Sequence, residues 1–135
     1  MDNNPSLNTA VIFADDEQTV LPVVSSTLEK AGFVILPAVS GAIALDRFLE
    51  TGKPMDLAVI DTDAEGIQPE EIVRDLHEIS PNVRMLFLTD EEDVSSVCST
   101  PTLGHVRAVL RKPFRRSQLL GKALEIMDRP SALTA

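Results

Sequence analysis

Short apolar runs that end in chemically capable residues constrain this chain more than any other feature. Residues 9–14, 57–61, 83–89 and 106–110 are such runs; they lead, respectively, into Asp15-Asp16, to Asp61, to Thr89 and into Lys112-Pro113. Runs of this length, rich in Val, Leu, Ile and Ala, read as strands buried on both faces, as in parallel sheets. Parallel strands place their C-terminal ends on one rim, and ligands of open α/β sheets bind there. Acids, a hydroxyl and an amine far apart in sequence are therefore expected to meet in one cleft.

The intervening segments carry helical signals. Residues 17–31 space Val20, Val24, Leu28 and Ala31 along one face and stop at Gly32. Pro22 falls early enough in that helix for its first turns to tolerate it, with a bend as the cost. Residues 33–37 form a further strand, and Ser40 is placed to cap a helix running to about Thr51. Residues 69–79 read as a helix with Pro69 in its first turn. Residues 90–104, containing Ser95, Ser96, Ser99, Thr100 and Pro101, read as a short helix and a long loop, and residues 117–127 as the last helix. Five strands alternating with five helices predict an α/β fold, a doubly wound, flavodoxin-like three-layer sandwich with right-handed crossovers. The expected strand order is 2-1-3-4-5, with the tips of the first and third strands at the topological switch point. One domain over residues 9–128 is expected, with short tails at 1–8 and 129–135, the latter too short for an output domain.

Bulk properties narrow the function. The net charge of −9 repels nucleic-acid phosphates, so no nucleic-acid partner is expected. The single cysteine, Cys98, cannot form an internal disulfide and reads as a small packed side chain. The N-terminus lacks a basic stretch followed by a long apolar run, and no segment could span a membrane, so the chain reads as cytoplasmic. His77 and His105 have no catalytic or metal-binding company in sequence and read as surface residues.

Asp15, Asp16 and Asp61 bring three carboxylates to neighbouring strand tips, where they repel one another unless a cation intervenes. Mg²⁺ suits such a set, because it takes one or two carboxylates and keeps positions for water and phosphate oxygens. Asp61 is the candidate nucleophile, since a carboxylate can attack phosphorus to give an acyl phosphate. Lys112 can supply a positive charge and Thr89 a hydroxyl donor, which is most of what phosphoryl transfer asks of a protein. Each residue alone has a simpler role. The acidic pair can favour a helix N-terminus, Asp61 can shape a turn, Thr89 with Glu92 can form a capping box, and Lys112 can be a solvated amine. Their joint occurrence, in order and at strand intervals, is what points to function.

On the segments IFADDE, LAVID, LFLT and VLRKPF, the chain resembles the receiver domain of two-component response regulators over about residues 9–127. The resemblance implies that Asp61 accepts phosphate from a histidine kinase or phosphotransfer protein and that an unknown downstream protein reads the result. It implies that Asp16 and Asp61 ligate Mg²⁺, with Asp15 assisting and the Asp63 backbone carbonyl as a further ligand. Thr89 and Lys112 are then phosphate contacts, and the Lys112-Pro113 bond resembles one that is cis in this family.

Departures from the family pattern bear on the readout. Glu65 stands where the family has a proline, Asp63 adds an acidic side chain beside the site, and Asp90 stands where a small residue is usual. Asp90 can cap the next helix or, turned inward, repel a phosphoryl group. Val109 occupies the position of a Tyr or Phe that swings inward on activation, and it is too short and apolar to repeat that motion. Asp90, Val109 and Pro113 are therefore the candidate modulating residues. Arg111, Arg115 and Arg116 read as solvated charges offsetting an acidic chain rather than as a docking surface. Two alternatives remain beside the phosphorylatable switch. One is a degenerate receiver serving only as an interaction module. The other is a haloacid-dehalogenase-type phosphatase, whose Asp-x-Asp signature Asp61-Thr62-Asp63 mimics. That family carries its metal acids after the lysine, whereas here the acidic pair precedes the nucleophile, and the order of residues favours the receiver.

Overall fold

In the computed structural model, strands β1 (Thr9–Phe13), β2 (Val34–Ala38), β3 (Leu57–Asp61), β4 (Arg84–Thr89) and β5 (Arg107–Arg111) pair in parallel in the order β2-β1-β3-β4-β5. The structure describes residues 8–14, 20–38, 40–52, 55–64, 68–90 and 107–128. The helices among them are α1 (Val20–Lys30), α2 (Gly41–Thr51), α3 (Pro69–Ile79) and α4 (Arg116–Met127). The expected α/β topology and strand order are those observed. The helix expected within residues 90–104 lies outside the described residues, as do Cys98 and His105.

The period of two along each strand divides the core between the two faces of the sheet. Val11 and Phe13, Ala58 and Ile60, and Met85 and Phe87 project to one face and pack with Ala44 of α2 and Ile72, Val73 and Leu76 of α3. Ala10 and Ile12, Leu57 and Val59, and Leu86 and Leu88 project to the other, against Val24 and Leu28 of α1 and Leu119, Ala123 and Ile126 of α4. With both faces covered, β1 and β3 are buried at every position, which is why residues 10–13 and 57–60 are apolar without interruption. Each fully buried Leu, Ile or Phe contributes about 1.5–3 kcal/mol. β2 is an edge strand and partly exposed, so Pro37, with no N–H to give to a ladder, is tolerated there.

Local chemistry sets the ends of the helices. Ser40 caps α2, its hydroxyl accepting from the Ile43 N–H at 3.2 Å, and Gly52 closes the same helix in the left-handed region at φ 68°. Pro69 occupies the first turn of α3. Gly32, at φ 98°, ends the turn after α1, and the Phe33 N–H donates back to the Leu28 carbonyl at 3.1 Å. Phe33 is thereby spent on closing the helix, and β2 begins one residue later than expected. β4 likewise begins at Arg84, because the Val83 N–H is used in a turn to the Ser80 carbonyl. β5 extends one residue beyond the expected end, pairing Arg111 with Thr89, while its expected first residue, Val106, lies outside the described residues.

Candidate functional site

The pairing register sets which side chains can meet at the C-terminal rim. Ile60 lies beside Phe13, Asp61 beside Leu88, and Thr89 beside Arg111. Asp61, Thr89 and Lys112 therefore come from the ends of three successive strands of one sheet. Asp15 and Asp16, which follow β1 in sequence, lie outside the described residues, as does Glu65.

Asp61 ends β3 with only 2% of its surface exposed. A buried carboxylate needs a partner, and Lys112 supplies it, its Nζ standing 2.6 Å from Asp61 Oδ1. The Asp63 N–H donates to the same oxygen at 3.1 Å, an Asx-type bond that also turns the chain out of the strand. The turn role and the charged-site role of Asp61 thus coexist. Thr62 fastens this turn to β4, donating from both its N–H, at 2.9 Å, and its hydroxyl, at 3.0 Å, to the Leu88 carbonyl.

Lys112 is placed by the end of β5. Its N–H donates to the Thr89 carbonyl at 2.7 Å, and the bond to Pro113 is cis. Its ammonium also stands 3.3 Å from Asp63 Oδ2. Burial by itself lowers the Lys112 pKa, but hydrogen bonding and charge from Asp61, and then from Asp63, outweigh it and hold the ammonium above its ordinary value. The lysine is charged throughout the neutral range. Thr89 is fully buried at the last position of β4.

Asp63 is the residue whose side chain the sequence placed near the site without a partner. Besides meeting Lys112, its Oδ2 accepts the Asp90 N–H at 2.6 Å. Only the spacing of two acids around Thr62 could have flagged it in sequence, and that spacing does not say which groups the second acid reaches. Asp90 itself is exposed and engages through its backbone; a cap on a following helix falls outside the described residues. Val109 is half-buried and packs on the core face shared with α2 and α3. Arg111, Arg115 and Arg116 are exposed, and Arg116 Nη1 donates to Ser26 Oγ at 2.8 Å, tying α4 to α1. His77 is half-buried, with a shielded Nδ1, and so is less of a surface residue than expected.

The donor set suits a hard divalent cation only in part among the described residues. Asp61 and Asp63 supply carboxylates and backbone oxygens at one rim, but no group of three acidic, His or Cys side chains able to hold a metal occurs among the described residues. Asp15 and Asp16, expected from the sequence to serve the metal as well, lie outside the described residues.

Comparison with known proteins identifies the family. Residues 11–124 match the response regulator receiver domain, and the chain belongs to that family. The transcriptional regulatory protein CutR of Streptomyces coelicolor is 27% identical over 121 residues, which make up 90% of this chain and 54% of CutR, so the chain spans about half the length of that relative. Sporulation initiation phosphotransferase F of Bacillus subtilis is 24% identical over 108 residues, 80% of this chain and 85% of that protein. A crystal structure of a response regulator receiver protein from Sinorhizobium medicae matches at TM-score 0.69 and 28% identity, covering 91% of this chain and 96% of that one.

Proposed function

We infer that this receiver domain accepts a phosphoryl group on Asp61 from a histidine kinase or phosphotransfer protein and signals through contacts with a downstream protein. The observation that carries this reading is the buried Asp61 carboxylate at the tip of β3, held 2.6 Å from the Lys112 ammonium. A carboxylate oxygen of Asp61 attacks phosphorus, the bond to the donor's imidazole nitrogen breaks, and the electron pair leaves with the imidazole. Lys112 neutralises charge on the transferred group, and Thr89 is the candidate hydroxyl donor. Mg²⁺ would be held by Asp61 and Asp16, with Asp15 assisting and the Asp63 carbonyl completing the protein ligands; bound there it offsets the charge gathering on the phosphoryl oxygens. The domain acts as a switch, catalysing at most its own phosphorylation and dephosphorylation. No helix among the described residues is long and apolar enough to cross a membrane.

The test is incubation with Mg²⁺ and acetyl phosphate, followed by intact-mass spectrometry. Addition of one phosphoryl group, lost in Asp61→Asn, is the expected result. A wild-type chain that gains no mass, and that beryllofluoride leaves unchanged by NMR, would sink the reading and leave the interaction module as the survivor. Family membership sets the phosphatase alternative aside. Sustained turnover of an aryl phosphate that depends on Asp61 would revive it.

A further inference from the structure

The hydrogen-bond donors at the rim converge on a carboxylate that belongs to the chain itself. Asp63 Oδ2 receives the Asp90 N–H at 2.6 Å and lies 3.3 Å from Lys112 Nζ, while the same ammonium holds Asp61 Oδ1 at 2.6 Å. The three groups come from the turn after β3, the end of β4 and the end of β5. An amide N–H and an ammonium aimed at one oxygen are an anion-binding arrangement, and here its occupant is internal.

A phosphoryl group carried on Asp61 brings three strong acceptor oxygens and close to two negative charges to the same place. It needs the Lys112 ammonium, and two anions cannot share that cation beside Asp61 without repulsion. We propose that the Asp63 carboxylate occupies donors needed by the phosphoryl group, so that loading of Asp61 requires Asp63 to give up Lys112 and the Asp90 N–H. This rests on the phosphoacceptor reading above and extends it to how that site is regulated. Asp63 is a positioning residue in this scheme. It holds the tip of β4 against the β3 turn in the unloaded chain, and its displacement frees the Asp90 N–H to turn to the phosphoryl group when that group arrives. The loss of that tie gives the domain a local change at β4 that does not depend on an aromatic at position 109.

Asp63→Ala removes the carboxylate and keeps the backbone carbonyl assigned to the metal. Asp63→Asn keeps an oxygen able to accept from the Asp90 N–H but places no charge on Lys112. Both variants of the full chain, with wild type and Asp61→Asn, are titrated with beryllofluoride in saturating Mg²⁺ and followed by ¹⁵N NMR. The half-saturating concentration is expected to fall about tenfold in Asp63→Ala, equivalent to about 1.4 kcal/mol, and to fall less in Asp63→Asn. Without any ligand, the Asp90 amide proton is expected to exchange slowly in wild type and Asp63→Asn and about tenfold faster in Asp63→Ala. A purely structural role for Asp63 would change unfolding but not the half-saturating concentration. Equal loading of wild type and both variants overturns the proposal while leaving phosphorylation of Asp61 intact. A wild-type Asp90 amide that exchanges as an exposed one overturns it as well. Loading by none of the chains overturns the phosphoacceptor reading and this proposal together. If Asp63→Ala fails to fold, Asp63→Asn carries the loading test alone.

Discussion

Asp56 and Asp61 stand at opposite ends of β3, and the two rims of the sheet treat them differently. At the N-terminal rim, Asp56 Oδ2 accepts the buried Thr9 N–H at 2.8 Å, while its own backbone bonds to Thr9 and Arg84. Ser80 does similar work nearby, its hydroxyl accepting from the Met55 N–H at 3.2 Å and donating to the Met55 carbonyl at 2.8 Å. Polar side chains there pair with neutral backbone groups, and every bond closes the fold. At the C-terminal rim the carboxylates of Asp61 and Asp63 are gathered around one ammonium. A set of two acids and one base is less completely satisfied by its own members than the amide bonds below it. That imbalance supports the proposal that the upper rim takes a ligand.

The largest test of this contrast is Lys112→Met. Loading from acetyl phosphate is expected to fall about a hundredfold, as when one charge-stabilising donor is removed from an active site. The same change leaves Asp61 buried without its cation, and the unfolding free energy in urea is expected to drop by about 3 kcal/mol. Ser80→Ala comes next, with a loss of about 2 kcal/mol, because both polar groups of the buried Met55 backbone lose their partner. Asp56→Ala is expected to cost about 1–2 kcal/mol through the unpaired Thr9 N–H. Loading measured by mass spectrometry should be unchanged in both lower-rim variants. If either abolished loading while still folded, the division between a structural rim and a chemical rim would break.

The smallest effect is the pH dependence carried by Lys112. Its pKa is raised in the folded chain, so the folded state holds the proton more tightly than the unfolded one. The resulting stabilisation is fully present below the ordinary lysine value of about 10.4 and is lost as pH rises through the higher folded-state value. Urea midpoints of wild type should therefore fall at alkaline pH more steeply than those of Lys112→Met. Parallel profiles would show that the ammonium is not tied to Asp61 in solution.

Much of this arrangement was legible beforehand because it follows from local rules. The apolar runs of β1, β3 and β4, the Ser40 cap and Pro69 at the start of α3 depend on periodicity and backbone chemistry that a short window contains. Small boundary shifts arose where a residue was drawn into a neighbouring turn, as with Phe33 and Val83. His77, expected at the surface, is half-buried, because helical position alone does not show how much of a side chain its surroundings cover.

By itself the sequence determined the α/β class, the strand order and the gathering of Asp61, Thr89 and Lys112 at one rim, since parallel strands entering from one side must end on the other. Only the tertiary structure decided which carboxylate meets which donor. The 2.6 Å contact of Asp90 N–H with Asp63 and the sharing of Lys112 between two acids depend on the register across β3, β4 and β5 and on the turn that Thr62 fastens. Hydrogen bonds and ion pairs change steeply within an ångström, whereas the hydrophobic pattern that sets the fold tolerates shifts of that size.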